Sequence, residues 1–164
     1  LSAAVAVRLA RPRDLDRLAA LFGLLVADQA ALDPAFDVEA HAGDSSWRAL
    51  LEKRLEQPHG GVWLATPAQT EGPTGPVGLC VAALARRPPP FRETLRGELE
   101  HLFVREEWRR QGVGGALCEA ALAWLGGLGV SRVAVEVTRG NAGGRSFWEA
   151  LGFVASMDVL HRRL

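Results

Sequence analysis

Residues 109–117, RRQGVGGAL, form the stretch whose residue types and spacing could do chemistry. Gly112 and Gly114 let backbone approach a ligand closely, and the apolar periodicity that follows predicts a helix start with unpaired N–H groups and a positive dipole end. Together these make an anion site suited to a pyrophosphate. The missing residues narrow the choice of ligand. A Walker loop needs a Lys after its last glycine, and none follows here, which speaks against ATP or GTP hydrolysis. A dinucleotide fingerprint needs a third glycine at position 117, where the chain has Leu117. Taken alone, the glycines also fit a tight strand-to-helix turn with no ligand.

The segments around this turn read as alternating strands and helices. Val5 to Leu9 suits a first strand, and Pro12 and Asp14 announce a helix carrying Leu15, Leu18, Ala19, Phe22, Leu25 and Val26 at helical spacing to about Leu32. Ser45 or Ser46 is read as the cap of a second helix, Trp47 to Leu55, closed by Pro58 and Gly60-Gly61. Strands are expected at Val62 to Thr66, Val77 to Ala85 and Arg96 to Val104, with the triple proline at 88–90 forming a stiff excursion between the last two. A helix from about Gly114 to Leu128 follows, then a strand at Arg132 to Val137 and a helix at Gly143 to Leu151. Phe153 to Arg163 is read as one or two terminal strands. The sequence has no internal repeats, and the order is that of an α/β domain with a mixed sheet.

Composition bounds the class. The chain has 164 residues, 19 basic and 19 acidic, and 48% are hydrophobic. That length suits one domain, 1–164, burying roughly 68–70% of its unfolded surface. Zero formal net charge argues against finding nucleic acid or an anionic membrane by bulk attraction. Cys80 and Cys118 lack CxxC spacing and read as buried thiols, with a disulfide or metal pair as the alternative. No apolar run reaches the roughly 18 residues of a membrane span and no signal-peptide layout is seen, so a cytoplasmic protein is expected.

The glycine turn gains meaning from its neighbours. Arg109-x-x-Gly112-x-Gly114, preceded by ELEHLFV at 98–104 and followed by NAGGRSFWEALGF at 141–153, resembles the GNAT N-acetyltransferase superfamily. Asn141, Phe147, Trp148, Leu151, Gly152 and Phe153 match the later part of the family pattern, and the order of elements is the family's order. The resemblance implies a mixed, mostly antiparallel sheet of roughly six to seven strands flanked by about four helices.

It also implies that acetyl-coenzyme A binds between the fourth and fifth strands as acyl donor, with no metal. Gln111, Gly112, Val113, Gly114 and Gly115 would hold its pyrophosphate, with Arg109 and Arg110 at the edge. Leu102, Phe103 and Val104 would pair with the pantetheine arm like an added strand. A backbone N–H near Phe103 or Val104 would polarise the thioester carbonyl. Asn141 would bond the pantetheine or the splayed strands, with helix capping as the alternative. Phe147 and Trp148 complete the expected cofactor wall.

Acetylating an amine requires a proton acceptor, because a free alkyl amine is mostly protonated at neutral pH. Strand alternation puts Glu98 and Glu100 on one face and His101, read as a packed or capping residue, on the other. Relatives carry a base-like Glu at the place of Glu100, which makes it the first choice and Glu98 the second. The family often has Tyr where Trp148 stands, and this chain has no tyrosine. Indole cannot supply a proton near neutral pH, so water or Ser146 must do so, or turnover is slow or absent.

Asp33, Phe36 and Trp47 are the candidate acceptor residues, in and just beyond the loop between the first two helices. Two function classes follow. One is an acetyl-CoA-dependent N-acetyltransferase acting on a primary amine of a small molecule or peptide. The other is a coenzyme A-binding sensor or interaction module with weak or no catalysis. A longer acyl chain is a third variant, and strand exchange at the C-terminal end would make a homodimer.

Overall fold

The computed structural model describes residues 5–33, 43–68, 75–88, 90, 92–160 and 162. Strand β1 (Val5–Leu9) leads through a 3-10 turn at Pro12–Asp14 into helix α1 (Leu15–Leu32). Helix α2 (Gly43–Glu56) precedes an antiparallel run of β2 (Gly60–Pro67), β3 (Gly78–Arg86) and β4 (Leu95–Val104). Helix α3 (Val113–Gly127), strand β5 (Val133–Val135) and helix α4 (Ala142–Ala150) complete the regular elements. The sheet order is β1-β2-β3-β4-β5, and only β4 and β5 are parallel, joined by the α3 crossover.

Helices cover both faces of this sheet. On one face Leu18, Leu21, Phe22 and Leu25 of α1 and Leu51 of α2 pack on Val62, Leu64, Leu79, Val81 and Phe103. On the other face Val113, Leu117, Cys118, Ala121 and Leu125 of α3 pack with Trp148 of α4 on Ala65, Cys80, Ala82 and Leu99. Leu117 and Leu125 are fully buried, each worth about 1.5–3 kcal/mol, so α3 is firmly seated. Cys80 and Cys118 are buried thiols, as their spacing suggests. The Cys118 hydrogen bond, then burial, push the Cys80 thiol well above its ordinary range.

The start of α1 is fixed by Asp14, which is 2% exposed. Arg8 Nη1 and Nη2 donate to Asp14 Oδ2 and Oδ1, each at 2.7 Å, and the Arg11 N–H donates to Oδ2 at 2.9 Å. Helix α2 begins at Gly43, one turn before the expected Trp47 and ahead of the expected Ser caps.

The largest difference from expectation is the strand count. The sheet has five strands among the described residues, where six to seven are expected. Strand β5 shortens to three residues, and residues 153–160 form no strand. Val154, Met157, Val159 and Leu160 are instead 88%, 79%, 70% and 88% exposed. An extended segment becomes a strand only when a neighbour takes its backbone hydrogen bonds, and β5 is the outermost strand of this sheet.

Candidate active site

Strands β4 and β5 part soon after they meet. Their ladder has the rungs Gly97↔Val133, Glu98↔Ala134 and Leu99↔Val135, and none beyond. Residues 100–104 of β4 therefore present about 16 Å of strand edge that β5 does not pair. The register against β3 also shifts here: Val81 faces His101 and Ala82 faces Leu99, which leaves Glu100 as an extra, bulged residue. A bulge re-aims side chains and increases local twist, which helps open the sheet at this point.

The bulge corrects the expected orientation of His101. Alternation alone would put it opposite Glu100. With the extra residue inserted, both side chains lie on the α1/α2 face. Glu100 meets Arg54 of α2, and the His101 ring stands edge-on to Phe22 of α1 with centroids 4.8 Å apart. Burial, and then the nearby Arg54 cation, lower the His101 pKa from about 6.5 to about 4. Its ring is neutral at pH 7, and its buried Nδ1 has no hydrogen-bond partner among the described residues.

Both expected proton acceptors are ion-paired. Arg54 grips Glu100 through two hydrogen bonds, Nε to Oε2 at 2.8 Å and Nη2 to Oε1. Glu98 is held by Arg96 of the same strand. Sequence reasoning missed Arg54, because a cation on the polar face of an amphipathic helix carries no mark of which strand residue it will meet.

The glycine turn is built for close approach. Arg110 (φ 62°) and Gly112 (φ 83°) both take the left-handed conformation, and Gly112 opens α3 without a side-chain cap. The first bond of the helix is Ala116 N–H to the Gly112 carbonyl, so the N–H groups of Val113, Gly114 and Gly115 precede the helical ladder. A Cβ on Gly115 would meet nothing within 4 Å, whereas one on Gly114 would sit 3.3 Å from the Phe147 ring. A run of N–H groups at a helix start, with open space beside Gly115, is of the kind that accepts a diphosphate. Arg109 is turned toward α1: its Nη2 donates to Asp28 Oδ2 at 2.5 Å and its Nε to the Val104 carbonyl at 2.9 Å. Its guanidinium lies 5.8 Å from the centre of the Phe103 ring.

Asn141 caps α4, accepting the Gly144 N–H through Oδ1 at 2.8 Å. This is the capping alternative of the sequence reading. Phe147 reaches the first turn of α3, while Trp148 is 8% exposed and packed edge-on between Phe147 and Phe153 in the core. Ser146 is exposed on α4. Of the acceptor candidates, Asp33 caps α1 through its backbone N–H to the Gln29 carbonyl. Trp47 packs on the α1/α2 core against Gly23, and Phe36 lies outside the described residues. Among the described residues no helix is long and apolar enough to cross a membrane, and no three His, Cys, Asp or Glu side chains gather to hold a metal.

The model of the acetyltransferase (GNAT) family matches residues 26–153. No curated protein matches in sequence. Among solved structures, the aminoglycoside N-acetyltransferase AAC(6')-Iy in complex with CoA is 19% identical with a TM-score of 0.76, covering 100% of this chain and 97% of its own. The BH1408 protein from Bacillus halodurans, as its tetramutant, is 16% identical with a TM-score of 0.78, covering 97% and 99%. An aminoglycoside acetyltransferase, meta-AAC0020, from an uncultured soil metagenomic sample in complex with sisomicin is 19% identical with a TM-score of 0.70, covering 98% and 95%. At these identities the likeness is one of fold.

Proposed function

The chain belongs to the acetyltransferase (GNAT) family, and from that premise we propose that it is an acetyl-CoA-dependent N-acetyltransferase acting on a primary amine of a small molecule or peptide. The observation that carries this reading is the parting of β4 and β5 just after Leu99↔Val135, beside the glycine-lined start of α3. Acetyl-CoA supplies the activated acetyl group as a thioester. Backbone N–H groups from Gln111 to Gly115 hold its diphosphate, and the edge of Leu102 to Val104 that β5 leaves unpaired orients its extended arm through main-chain hydrogen bonds. Phe147 walls the turn. An N–H at Phe103 or Val104 polarises the thioester carbonyl.

Glu100 takes the proton that the acceptor amine must lose, directly or through a water. Glu98 is the second choice for that role. The departing thiolate takes its proton from water, since Trp148 is packed in the core and is no acid. Asp33, Phe36 and Trp47 mark the acceptor side. Aminoglycoside amines belong in any acceptor panel, because two of the structural neighbours are aminoglycoside acetyltransferases. On this reading residues 1–164 work as one acetyltransferase domain in the cytoplasm, without a metal, nucleic-acid or membrane partner, and a homodimer forms through the exposed C-terminal segment. The core position of Trp148 favours one competing reading, a coenzyme A-binding sensor with little or no chemistry.

Thermal unfolding with acetyl-CoA, ATP and NAD at matched concentration tests the donor. A ligand at 100 times its dissociation constant adds about 2.7 kcal/mol, which is a rise of several degrees for a chain of this size. A rise with acetyl-CoA alone is expected, and silence with all three would refute the reading. Single-turnover acetylation of an amine panel then separates enzyme from sensor: coenzyme binding with no transfer at any pH favours the sensor.

A further inference from the structure

The ion pair at the bulge is an unusually complete one. Arg54 reaches across from α2 to a residue 46 positions away, and both of its bonds to Glu100 come from one planar fork. The third limb, Nη1, donates to Gln57 Oε1 at 2.8 Å, so the guanidinium is itself braced. The two side chains are 26% and 21% exposed, so the pair is better shielded from solvent than the surface ion pairs that contribute little. A two-pronged guanidinium fixes the plane of the carboxylate as well as its position, which a lysine cannot do. It uses about two of the roughly four lone-pair sites of the carboxylate and leaves about two for a proton or water.

Resting on the acetyltransferase reading, we propose that Arg54 is the positioning residue of the acceptor side: it fixes the plane of Glu100 at the parting of β4 and β5 and offsets its charge, so that Glu100 meets the acceptor's proton or its water in one orientation without also clamping a cation. The neighbouring carboxylate obeys the same rule, because Glu98 is paired with Arg96. The described part of β4 thus offers a polycationic acceptor no uncompensated carboxylate. A groove of about 290 Å³ lined by Ala49, Leu50, Lys53, Arg54 and Gln57 lies on the Arg54 side of the pair, and two of its lining residues are cations.

This assignment makes the kinetic effects of Arg54→Gln run in opposite directions. Loss of the fork lets Glu100 swing, which lowers kcat about 10-fold or more. Loss of the cation leaves Glu100 as a free counterion, which lowers KM several-fold for a polycation. The experiment measures steady-state kinetics with kanamycin as polycation and benzylamine as monoamine, plus acetyl-CoA affinity by calorimetry, for Arg54→Gln, Arg54→Lys, Glu100→Gln and the double Gln variant. Arg54→Lys is expected to lose kcat like the Gln variant but keep the wild-type KM for kanamycin. The double variant is expected to be no slower than Glu100→Gln alone, and acetyl-CoA affinity is expected to stay unchanged throughout.

An unchanged kcat in Arg54→Gln, full rescue by Lys, additive losses in the double variant, or a rise of KM for both amines with a lowered melting temperature would each overturn the proposal. If wild type acetylates an amine and Arg54 proves silent, only this inference falls. If wild type binds acetyl-CoA and acetylates nothing, the acetyltransferase reading falls and takes the positioning role with it.

Discussion

Acidification should destabilise this protein across a pH window set by His101. In the folded chain the ring is packed against Phe22, and burial, with Arg54 second, holds its pKa at about 4. In the unfolded chain the same group titrates near 6.5. Between those values the unfolded state binds a proton that the folded state refuses, so stability rises with pH and falls on acidification. The loss begins near pH 6.5, grows by ~1.36 kcal/mol per pH unit and levels off near pH 4, a total of about 3 kcal/mol. Urea unfolding at half-unit steps from pH 7 to 4 reads this slope, and the same series on His101→Phe, which keeps an aromatic ring beside Phe22, should be flatter by that amount. An imidazole NMR titration reads the His101 midpoint directly. A His101 midpoint near 6.5, or an equal slope in the Phe variant, would refute the argument.

Three further outcomes follow from the same structure. Asp14, held by Arg8 and the Arg11 N–H at a pKa of about 2, contributes stability that is complete above about pH 4 and lost as pH falls through about 2. Asp14→Asn should therefore cost about 2 kcal/mol at pH 7 in urea unfolding, and the deficit relative to wild type should shrink below pH 4. Gly78→Ala puts a Cβ 2.9 Å from the Phe103 carbonyl and 3.0 Å from Leu117 Cδ1, so it should cost about 1–3 kcal/mol and weaken acetyl-CoA binding by displacing β4 where the arm is read to lie. At Arg110 (φ 62°) a Gly variant should be about 1 kcal/mol more stable than an Ala variant, because only the Ala retains the left-handed penalty; equal melting temperatures would count against that strain.

The local patterns were legible in the sequence because their causes are local. Helix α1 runs to Leu32 as its apolar spacing predicts, β1 spans Val5–Leu9, and α3 and α4 start within one residue of their expected positions. The turn at Gly112 was equally plain, since a glycine before an amphipathic run fixes both the conformation and the free N–H groups. Burial of Cys80 and Cys118 was readable for the same reason: each lies within a segment whose apolar character was clear.

What only the tertiary structure decided are the relations between those pieces. No pattern in ELEHLFV marks the extra residue at Glu100, because a bulge is defined by two strands in register. That one slip carries His101 to the face that alternation denies it. Arg54 on Glu100 and Arg109 on Asp28 join residues far apart in the chain, and their meeting depends on where α1 and α2 settle on the sheet. Trp148 could be placed on a helix from sequence, but its burial between Phe147 and Phe153 follows from how α4 docks. Hydrophobic period and backbone propensity act over a few residues and set the elements. Register, ion pairing and the length of a strand edge depend on the partners each element finds.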